Sequence, residues 1–464
     1  MSERRGPHDA DRSGPRGLAS ESDRSGPLVA EQSGALDAAR VAPLDAAHTA
    51  SDLRAPSLWH HRDFLRLWGA QAVSAFGSRI TRTALPIIAV KTLGEPETMV
   101  ATLAALQLAP GVVLALFTGG FVDRGRKRRI LVAADLFRAA VILSLTLAWA
   151  LGALSMMHVI IVGAAVGAAT ALFQITDVAY LPILVGKGHL GEGNAKLEAT
   201  EAIAEVTGPA SAGALIAALG APLAVAIDAI SYVWSAVMLG RIRTHEPPPQ
   251  PAPSAESSTW QSSRDMRVGM RAVFGHHYVR PIVLALMVSA VSGGFFVALY
   301  TLFLLRTLGL SEATFGVIVA MGGVGSLGGA LLSRPLARSI GVGPSMIVTS
   351  ALSMAAALLI PLAHGPYTLW YLAGHQLLSD GFQVAFIIQA VTLRQTVLPK
   401  EILGRANAAI LVCTAGILPP VAIAAGVLAQ ATTTRFAVWV GVAIGLAVPL
   451  FLLPLRRLRT MPTS

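Results

Sequence analysis

The chain has 464 residues, of which 54% are hydrophobic and only 13% are charged. A soluble domain averages about 25% charged residues, so this composition excludes an ordinary soluble enzyme. The single cysteine, Cys413, excludes an intrachain disulfide and a multi-cysteine metal site. The net charge of +10 lies mostly near apolar runs, which fits membrane topology better than nucleic-acid binding.

Residues 1–63 form a polar segment rich in Ser, Gly, Pro, Asp and Arg, in which Asp-Arg-Ser-Gly-Pro occurs at 11–15 and again at 23–27. Large apolar residues are too few there to bury a core, so we expect a disordered cytoplasmic tail. The segment has no apolar stretch of the kind that a cleavable signal peptide contains. We expect it to be a solvated extension without a dedicated role.

Twelve apolar segments follow from Phe64 onward, each long enough to cross a hydrocarbon core about 30 Å thick. They predict an all-α polytopic membrane protein with two six-helix bundles, at 64–240 and 281–457. The linker 241–280 begins with prolines and continues with a basic stretch, which predicts a loop and a short amphipathic helix at the membrane surface. Residues 458–464 are the predicted cytoplasmic C-terminus. The predicted spans are 65–90, 98–120, 130–151, 155–179, 198–219, 222–240, 281–305, 313–333, 342–362, 367–391, 404–430 and 434–455.

The distribution of Lys and Arg predicts the orientation of the helices. If the N-terminus lies in the cytoplasm, the inner loops and the C-terminus hold 21 basic residues, whereas the outer loops hold three, Lys91, Arg306 and Arg435. Positive charge accumulates on the cytoplasmic side of membrane proteins. We therefore expect both termini in the cytoplasm of a multi-pass plasma-membrane protein. A faint repeat, Asn194-Ala195 and Asn407-Ala408 at an offset of 213, supports two related halves.

Between the second and third segments, Gly119-Gly120 is followed by Asp123 and then by five basic residues that include Arg124, Lys127 and Arg128. A carboxylate at this position can accept charge-assisted hydrogen bonds or interact with the N-terminus of a neighbouring helix. The alternative is a basic loop that only sets topology, with a solvated aspartate.

A Gly-Pro pair interrupts the fifth segment at Gly208 and Pro209, and Gly213 follows. Glycine allows close contact between membrane helices, and proline removes a backbone donor. The pattern predicts either a functional helix contact or a structural kink.

Ionisable side chains within a bilayer cost roughly 2.5–3.5 kcal/mol on insertion scales, so each one is a functional candidate. Arg79 and Arg82 are three residues apart on the first segment and therefore share a face. They can bind an anionic group or pair with carboxylates, and both alternatives stay open. Asp135 and Arg138 on the third segment can satisfy each other, which favours a structural role.

Three further segments carry acids. Glu198, Glu201 and Glu205 lie on one face of the fifth, and Glu205 is the deepest, about 11 Å from the predicted start at 1.5 Å per residue. Asp177 and Asp380 lie in the fourth and tenth segments. Desolvation disfavours a charged carboxylate, which suits a group that takes up and releases a proton. A salt bridge or polar packing is the alternative for each acid. Polar candidates for a cavity lining are Gln107, Gln174, His375 and Gln383.

Together these features resemble the Major Facilitator Superfamily, in particular its enterobactin-exporter and macrolide-efflux branch. The resemblance covers about residues 58–457 and rests first on the stretch from Gly119 to Arg129, which is similar to the signature between the second and third helices. Arg126 stands where the signature usually has a glycine. The phrases at 62–68 and 134–139 and the Gly208-Pro209 pair also resemble this branch.

The resemblance implies two bundles that rock about a central cavity lined by the first, fourth, seventh and tenth helices. It implies that Asp123 latches the cytoplasmic side to the start of the eleventh helix, and that Gly208-Pro209 favours export over import. Asp177, Glu205 and Asp380 then become the candidates for proton coupling. We expect a monomeric secondary transporter that exports a drug, macrolide or siderophore in exchange for protons, without a cofactor, a metal or a nucleic-acid partner.

Two alternatives remain at this stage. One is an importer or facilitator of the same fold for a small metabolite or a lysolipid, although the 6% aromatic content argues against a sugar carrier. The other is a membrane receptor or lipid-modifying enzyme. The sequence contains no G-x-x-x-x-G-K-[ST], H-E-x-x-H or G-x-S-x-G motif, so neither an ATP-driven pump nor an intramembrane hydrolase is indicated.

Overall fold

The computed structural model of the protein describes residues 57–117, 125–246 and 266–460. Within these ranges the chain is helical and contains no strand. In the N-terminal half the helices are α1 (Arg62–Ile87), α2 (Glu97–Phe117), α3 (Lys127–Ala150), α4 (Met156–Val185), α5 (Leu190–Leu219) and α6 (Ala221–Gly240). In the C-terminal half they are α7 (Val279–Leu302), α8 (Glu312–Ile340), α9 (Val342–Ala357, continued by Leu359–Leu362), α10 (Thr368–Val397), α11 (Lys400–Ala415 and Leu418–Ala431) and α12 (Thr434–Gly445 and Val448–Leu452).

Eleven stretches of the described chain are long and apolar enough to span a membrane. The remaining long helix, α1, has 26 residues but carries five charged side chains, Arg62, Asp63, Arg66, Arg79 and Arg82. The all-α architecture and the twelve long helices agree with the sequence prediction. Several predicted bounds differ from the structure. The helix α5 begins at Leu190 rather than at 198, and α4, α8 and α10 end at Val185, Ile340 and Val397 rather than at 179, 333 and 391. Glu205 therefore lies near the middle of α5, roughly 22 Å from its start at 1.5 Å per residue.

Successive helices run in opposite directions, so the helix termini of both halves lie at two ends. We call the end where α1 begins and α12 finishes the termini end, and the other the opposite end. At the termini end, the Asp63 carboxylate accepts hydrogen bonds from the backbone N–H and hydroxyl of Thr244, at 2.8 and 2.7 Å. The Leu58 backbone N–H donates to Glu192 Oε1 at 3.1 Å. The first two bonds tie the start of α1 to the end of α6, and the third ties the segment before α1 to the start of α5.

Among the described residues, the apolar cluster that contains side chains of both halves lies at one end. The largest buried cluster of the described residues lies at the opposite end and contains side chains of both halves, such as Leu103 and Leu299. At the termini end, the N-terminal half has its own cluster around Phe64 and Leu131. The C-terminal half has separate clusters around Phe386 and around Val273. Within the described part of the chain, the halves thus share a core at the opposite end and have separate cores at the termini end.

The linker contains a helix at residues 266–275, as the sequence predicts. Its buried Val273 packs with Val279, Leu398 and Ala406, which fixes the helix against α7 and the start of α11. Linker residues 247–265 and the predicted tail up to residue 56 lie outside the described ranges.

Candidate functional site

A buried arginine joins two carboxylates where α1 meets α5. The Arg79 side chain is only 4% exposed, and its Nη2 contacts Glu201 Oε1 and lies 2.6 Å from Glu205 Oε2. Both glutamate side chains are 55% exposed, so the acids reach open space while the cation stays in the interior. The cluster is an ionisable centre of one arginine and two glutamates near the middle of α5.

Gly208 makes room for this arginine. A Cβ atom at position 208 would lie 2.6 Å from Arg79 Cγ, closer than real Cβ contacts. The rest of the motif serves a different contact, because a Cβ at Gly213 would lie 2.9 Å from the Cα of Gly316 on α8. The Pro209 carbonyl also faces Gly316. The Gly-Pro motif therefore has two roles. Gly208 leaves space for the Arg79 side chain, and Pro209 and Gly213 allow α5 to cross close to α8 of the other half.

The second arginine of α1 has a different environment. Arg82 is exposed, and in the described ranges it has no ion pair or hydrogen bond, although Glu201 and Glu205 are near enough to interact with it electrostatically. The shared face that the spacing predicts therefore does not give the two arginines the same environment. Arg79 is paired and buried, whereas Arg82 is exposed and has no direct ion-pair partner among the described residues.

Asp380 lies across α8 from Glu205. Its carboxylate rests against Gly322, where an added Cβ would overlap Asp380 Oδ2. On the neighbouring residue, an added Cβ at Gly323 would lie 3.2 Å from the Glu205 carbonyl oxygen. The charges of Glu205 and Asp380 are close enough to interact electrostatically. The glycine pair of α8 thus lets the Asp380 carboxylate and the α5 backbone at Glu205 both pack closely against this helix.

The third proton-coupling candidate stands apart from the Arg79 cluster. Asp177 on α4 accepts a hydrogen bond from Gln71 Nε2 at 2.6 Å, which links α4 to α1. Its hydrogen-bond partner in the described chain is this glutamine rather than an arginine. Gln174, one turn earlier on α4, is exposed.

The remaining cavity candidates are engaged in helix packing. His375 is 7% exposed and lies beside the rings of Phe296 and Tyr300, with centroid distances of 6.4 and 6.1 Å. Gln383 Nε2 donates to Ser289 Oγ at 3.3 Å, and Gln107 packs across Gly163 and Gly167 of α4. His375 is thus packed inside the C-terminal half, and neither glutamine forms part of the Arg79 cluster.

The predicted cytoplasmic motif is described only in part. Gly119, Asp123 and Arg124 lie outside the described residues, and Lys127 begins α3. The backbone N–H of Arg128 donates to Glu246 Oε1 at 2.7 Å, and its guanidinium donates to the Ile242 carbonyl. Both of these contacts join the start of α3 to the segment directly after α6.

Asp135 and Arg138 pair with each other on α3, as their spacing predicts. The Arg138 guanidinium also lies between the rings of Phe173 and Tyr232, at 4.5 and 4.2 Å from their centroids. Asp135 has 0% exposure and Arg138 has 3%. These contacts fasten α3 to α4 and α6 inside one bundle.

We therefore expect Arg138→Met to lower stability strongly, because it leaves the Asp135 carboxylate buried without its cation. Breaking a buried pair costs about 3–5 kcal/mol. Thermal unfolding of the purified protein, followed by intrinsic fluorescence, measures the effect. The double variant Arg138→Met/Asp135→Asn should recover part of the loss, and equal stability of both variants would contradict the pairing.

The sequence comparison decides the family. A profile of the Major Facilitator Superfamily matches residues 67–418, which is more than half of the chain. The chain belongs to the Major Facilitator Superfamily. No curated protein sequence matches it. Superfamily membership agrees with the twelve-helix arrangement and with a membrane transporter rather than an enzyme.

Solved transporter structures share the superfamily fold at low sequence identity. A bacterial homologue of the iron transporter ferroportin in the inward-facing state has a TM-score of 0.69 and 17% identity, covering 87% of this chain and 100% of that one. Its outward-facing form has a TM-score of 0.55 and 17% identity, covering 84% and 98%. The nucleoside transporter NupG has a TM-score of 0.67 and 12% identity, covering 85% and 99%. At these identities the similarity establishes the fold.

Proposed function

We propose that this transporter exports a small amphipathic molecule from the cytoplasm in exchange for protons. The observation that carries the proposal is the Arg79 cluster, in which a buried cation holds two half-exposed carboxylates while a third acid, Asp380, approaches from the other half. Proton exchange needs carboxylates that are accessible to solvent and that are paired with a cation held in a fixed position. The Arg79 cluster meets both requirements.

The distribution of basic residues supports a cytoplasmic termini end, because Lys and Arg concentrate there. In the ranges that the structure describes, the halves share a core at the opposite end and have separate cores at the termini end, which supports a cavity open to the cytoplasm. The higher similarity to the inward-facing than to the outward-facing ferroportin homologue supports the same conformation.

The charge balance of the cluster gives the exchange a physical basis. Arg79 and Arg82, together with ionised Glu201, Glu205 and Asp380, carry a net charge of −1, and protonation of one of these acids makes the group neutral. A neutral centre is easier to enclose when the cavity closes, because desolvation penalises net charge. We propose that protonation of Glu205 permits the conformational change, and that Asp380 and Asp177 are the other acids able to take part.

The substrate class follows from the resemblance to the enterobactin-exporter and macrolide-efflux branch, which favours a drug, a macrolide or a siderophore. The described residues hold no group of three or more His, Cys, Asp or Glu side chains able to bind a metal ion. We propose a plasma-membrane protein that works as a monomer, with both termini in the cytoplasm. We also propose that Asp123 latches to the start of α11 when the cytoplasmic side closes.

Efflux from cells that express the full chain tests this function. Cells loaded with ethidium, a macrolide or a siderophore are followed with and without a protonophore. Protonophore-sensitive efflux of any probe, absent from cells carrying the empty vector, is the expected result. Energy-dependent uptake instead of efflux, by protein shown to be in the membrane, would favour an importer with the fold of NupG and overturn the proposal.

A further inference from the structure

The same turn occurs once in each half at the opposite end. Residues 91–97 read Lys-Thr-Leu-Gly-Glu-Pro-Glu and residues 306–312 read Arg-Thr-Leu-Gly-Leu-Ser-Glu, at an offset of 215. Each turn begins in a π-helical segment, Ile88–Thr92 or Phe303–Thr307, and each then places a glycine at φ 69°. The final glutamate of each turn is the first residue of the next helix, α2 or α8. We call these two segments the paired turns.

The paired turns bind each other across the two halves. Lys91 Nζ lies 2.8 Å from Glu312 Oε1, and Arg306 Nη1 lies 3.6 Å from Glu97 Oε1. The basic residue of each turn thus meets the acid of the other. This reciprocity is that of a two-fold symmetric contact, in which one surface patch binds a copy of itself. Each glutamate also lies in the first turn of a helix, where a negative charge is stabilised by the helix dipole.

One of the two pairs is reinforced. Arg306 Nη2 also donates to the Glu95 carbonyl at 2.7 Å and to the Val90 carbonyl at 3.5 Å. A lysine cannot reproduce this forked geometry with a single charged nitrogen. The Arg306 side therefore holds the backbone of the partner turn, whereas the Lys91 side relies on one ion pair.

We propose that the paired turns are a reciprocal ion-pair gate that holds the opposite face closed and opens as a unit when substrate leaves. The inference rests on the alternating access proposed above. Nearby contacts support it: Thr98 Oγ1 donates to Gln430 Oε1 at 2.7 Å across the halves, and Gly426 of α11 abuts Ala101 of α2. Because each ion pair joins one half to the other, separating the halves at this end breaks both pairs together.

The rate of cross-linking between the two halves measures how often the opposite face is closed, and it needs no substrate. In the full chain with Cys413→Ser, the variants Thr98→Cys and Gln430→Cys place one thiol in each half, and a short bismaleimide joins them only while this face is closed. Exposed ion pairs contribute up to about 1 kcal/mol each. Glu97→Gln together with Glu312→Gln should therefore slow cross-linking about five- to tenfold. Lys91→Glu should slow it as well, and Lys91→Glu/Glu312→Lys should recover most of the rate.

Two controls make the test specific. Arg435→Gln removes a cation at the same face. Its guanidinium bonds to the Pro361 and Ala363 carbonyls and lies over the Phe303 ring, all within one half, so the cross-linking rate should not change. Lys91→Arg should keep the cross-linking rate, whereas Arg306→Lys should lower it, because Arg306, unlike Lys91, also donates to two backbone carbonyls of the other half.

An unchanged rate in the double glutamine variant, with thermal stability intact, would overturn the gate and leave the proposed export function standing. A slowed rate in a protein that transports none of the probes would support the gate and count against that function.

Discussion

Glu205→Gln is expected to abolish proton-driven export while leaving downhill movement of substrate in place. Glutamine mimics the protonated acid and keeps the size of the side chain, so the Arg79 cluster becomes permanently neutral. The halves can still exchange conformations, but this position no longer carries a proton. We expect active efflux to fall about tenfold or more, equivalent to about 1.4 kcal/mol, and to lose its response to a protonophore. Efflux down and against a substrate gradient, in matched vesicles, separates the two activities.

Two neighbouring glutamates serve as comparisons for this variant. Glu198→Gln makes the same change about two turns closer to the termini end, where the described residues give the side chain no ion pair, so active efflux should persist. Glu201→Gln removes the other partner of Arg79, and only Glu205 also interacts with Asp380. A larger loss for Glu205→Gln than for Glu201→Gln is therefore expected. Equal losses would show that neutralising the partners of Arg79 is what matters, and full coupling in Glu205→Gln would contradict our assignment of the proton site.

Hydropathy and charge spacing predict most of the fold, because a membrane helix needs a long apolar run that sequence shows directly. The linker helix and the pairing of Asp135 with Arg138 are also visible in short-range patterns. The start of α5 is not, since Glu192 and Lys196 make its first turns too polar for a hydropathy window. In the structure these two side chains pair with each other 3.2 Å apart, and Glu192 also holds the Leu58 backbone.

The site is less predictable because its contacts cross between helices. Spacing places Arg79 and Arg82 on one face of α1, but it cannot show that Gly208 leaves space for the Arg79 side chain. Nor can it show that His375 packs beside aromatic rings. The paired turns could have been found, because the shared Thr-Leu-Gly and the final glutamate form a stronger repeat than the Asn-Ala pairs. The topology count treats Lys91 and Arg306 only as outer-loop charges, so it does not reveal this repeat.

The close crossing of α5 and α8 makes a larger prediction about conformation. An added Cβ at Gly316 would lie 2.8 Å from the Cα of Gly213 and would also meet the Pro209 carbonyl. Overpacking of this kind costs about 1–3 kcal/mol. We expect Gly316→Val to reduce the closed state of the opposite face, slowing the Thr98–Gln430 cross-link at least about fivefold. Gly328→Val on the same helix is the control, because nothing lies within 4 Å of a Cβ there.

The crossing and the gate should act as one element. A Cβ at Gly213 would lie 2.7 Å from the carbonyl oxygen of Glu312, the acid that binds Lys91. Residues in direct contact usually show coupled effects, whereas distant ones add. Gly316→Val and Glu312→Gln together should therefore slow cross-linking by less than the product of their separate effects, because a crossing already forced apart has lost the ion pair. Multiplicative effects would mean that the two contacts open independently, and Gly316→Val with an unchanged rate and a native melting temperature would contradict the crossing as a determinant of closure.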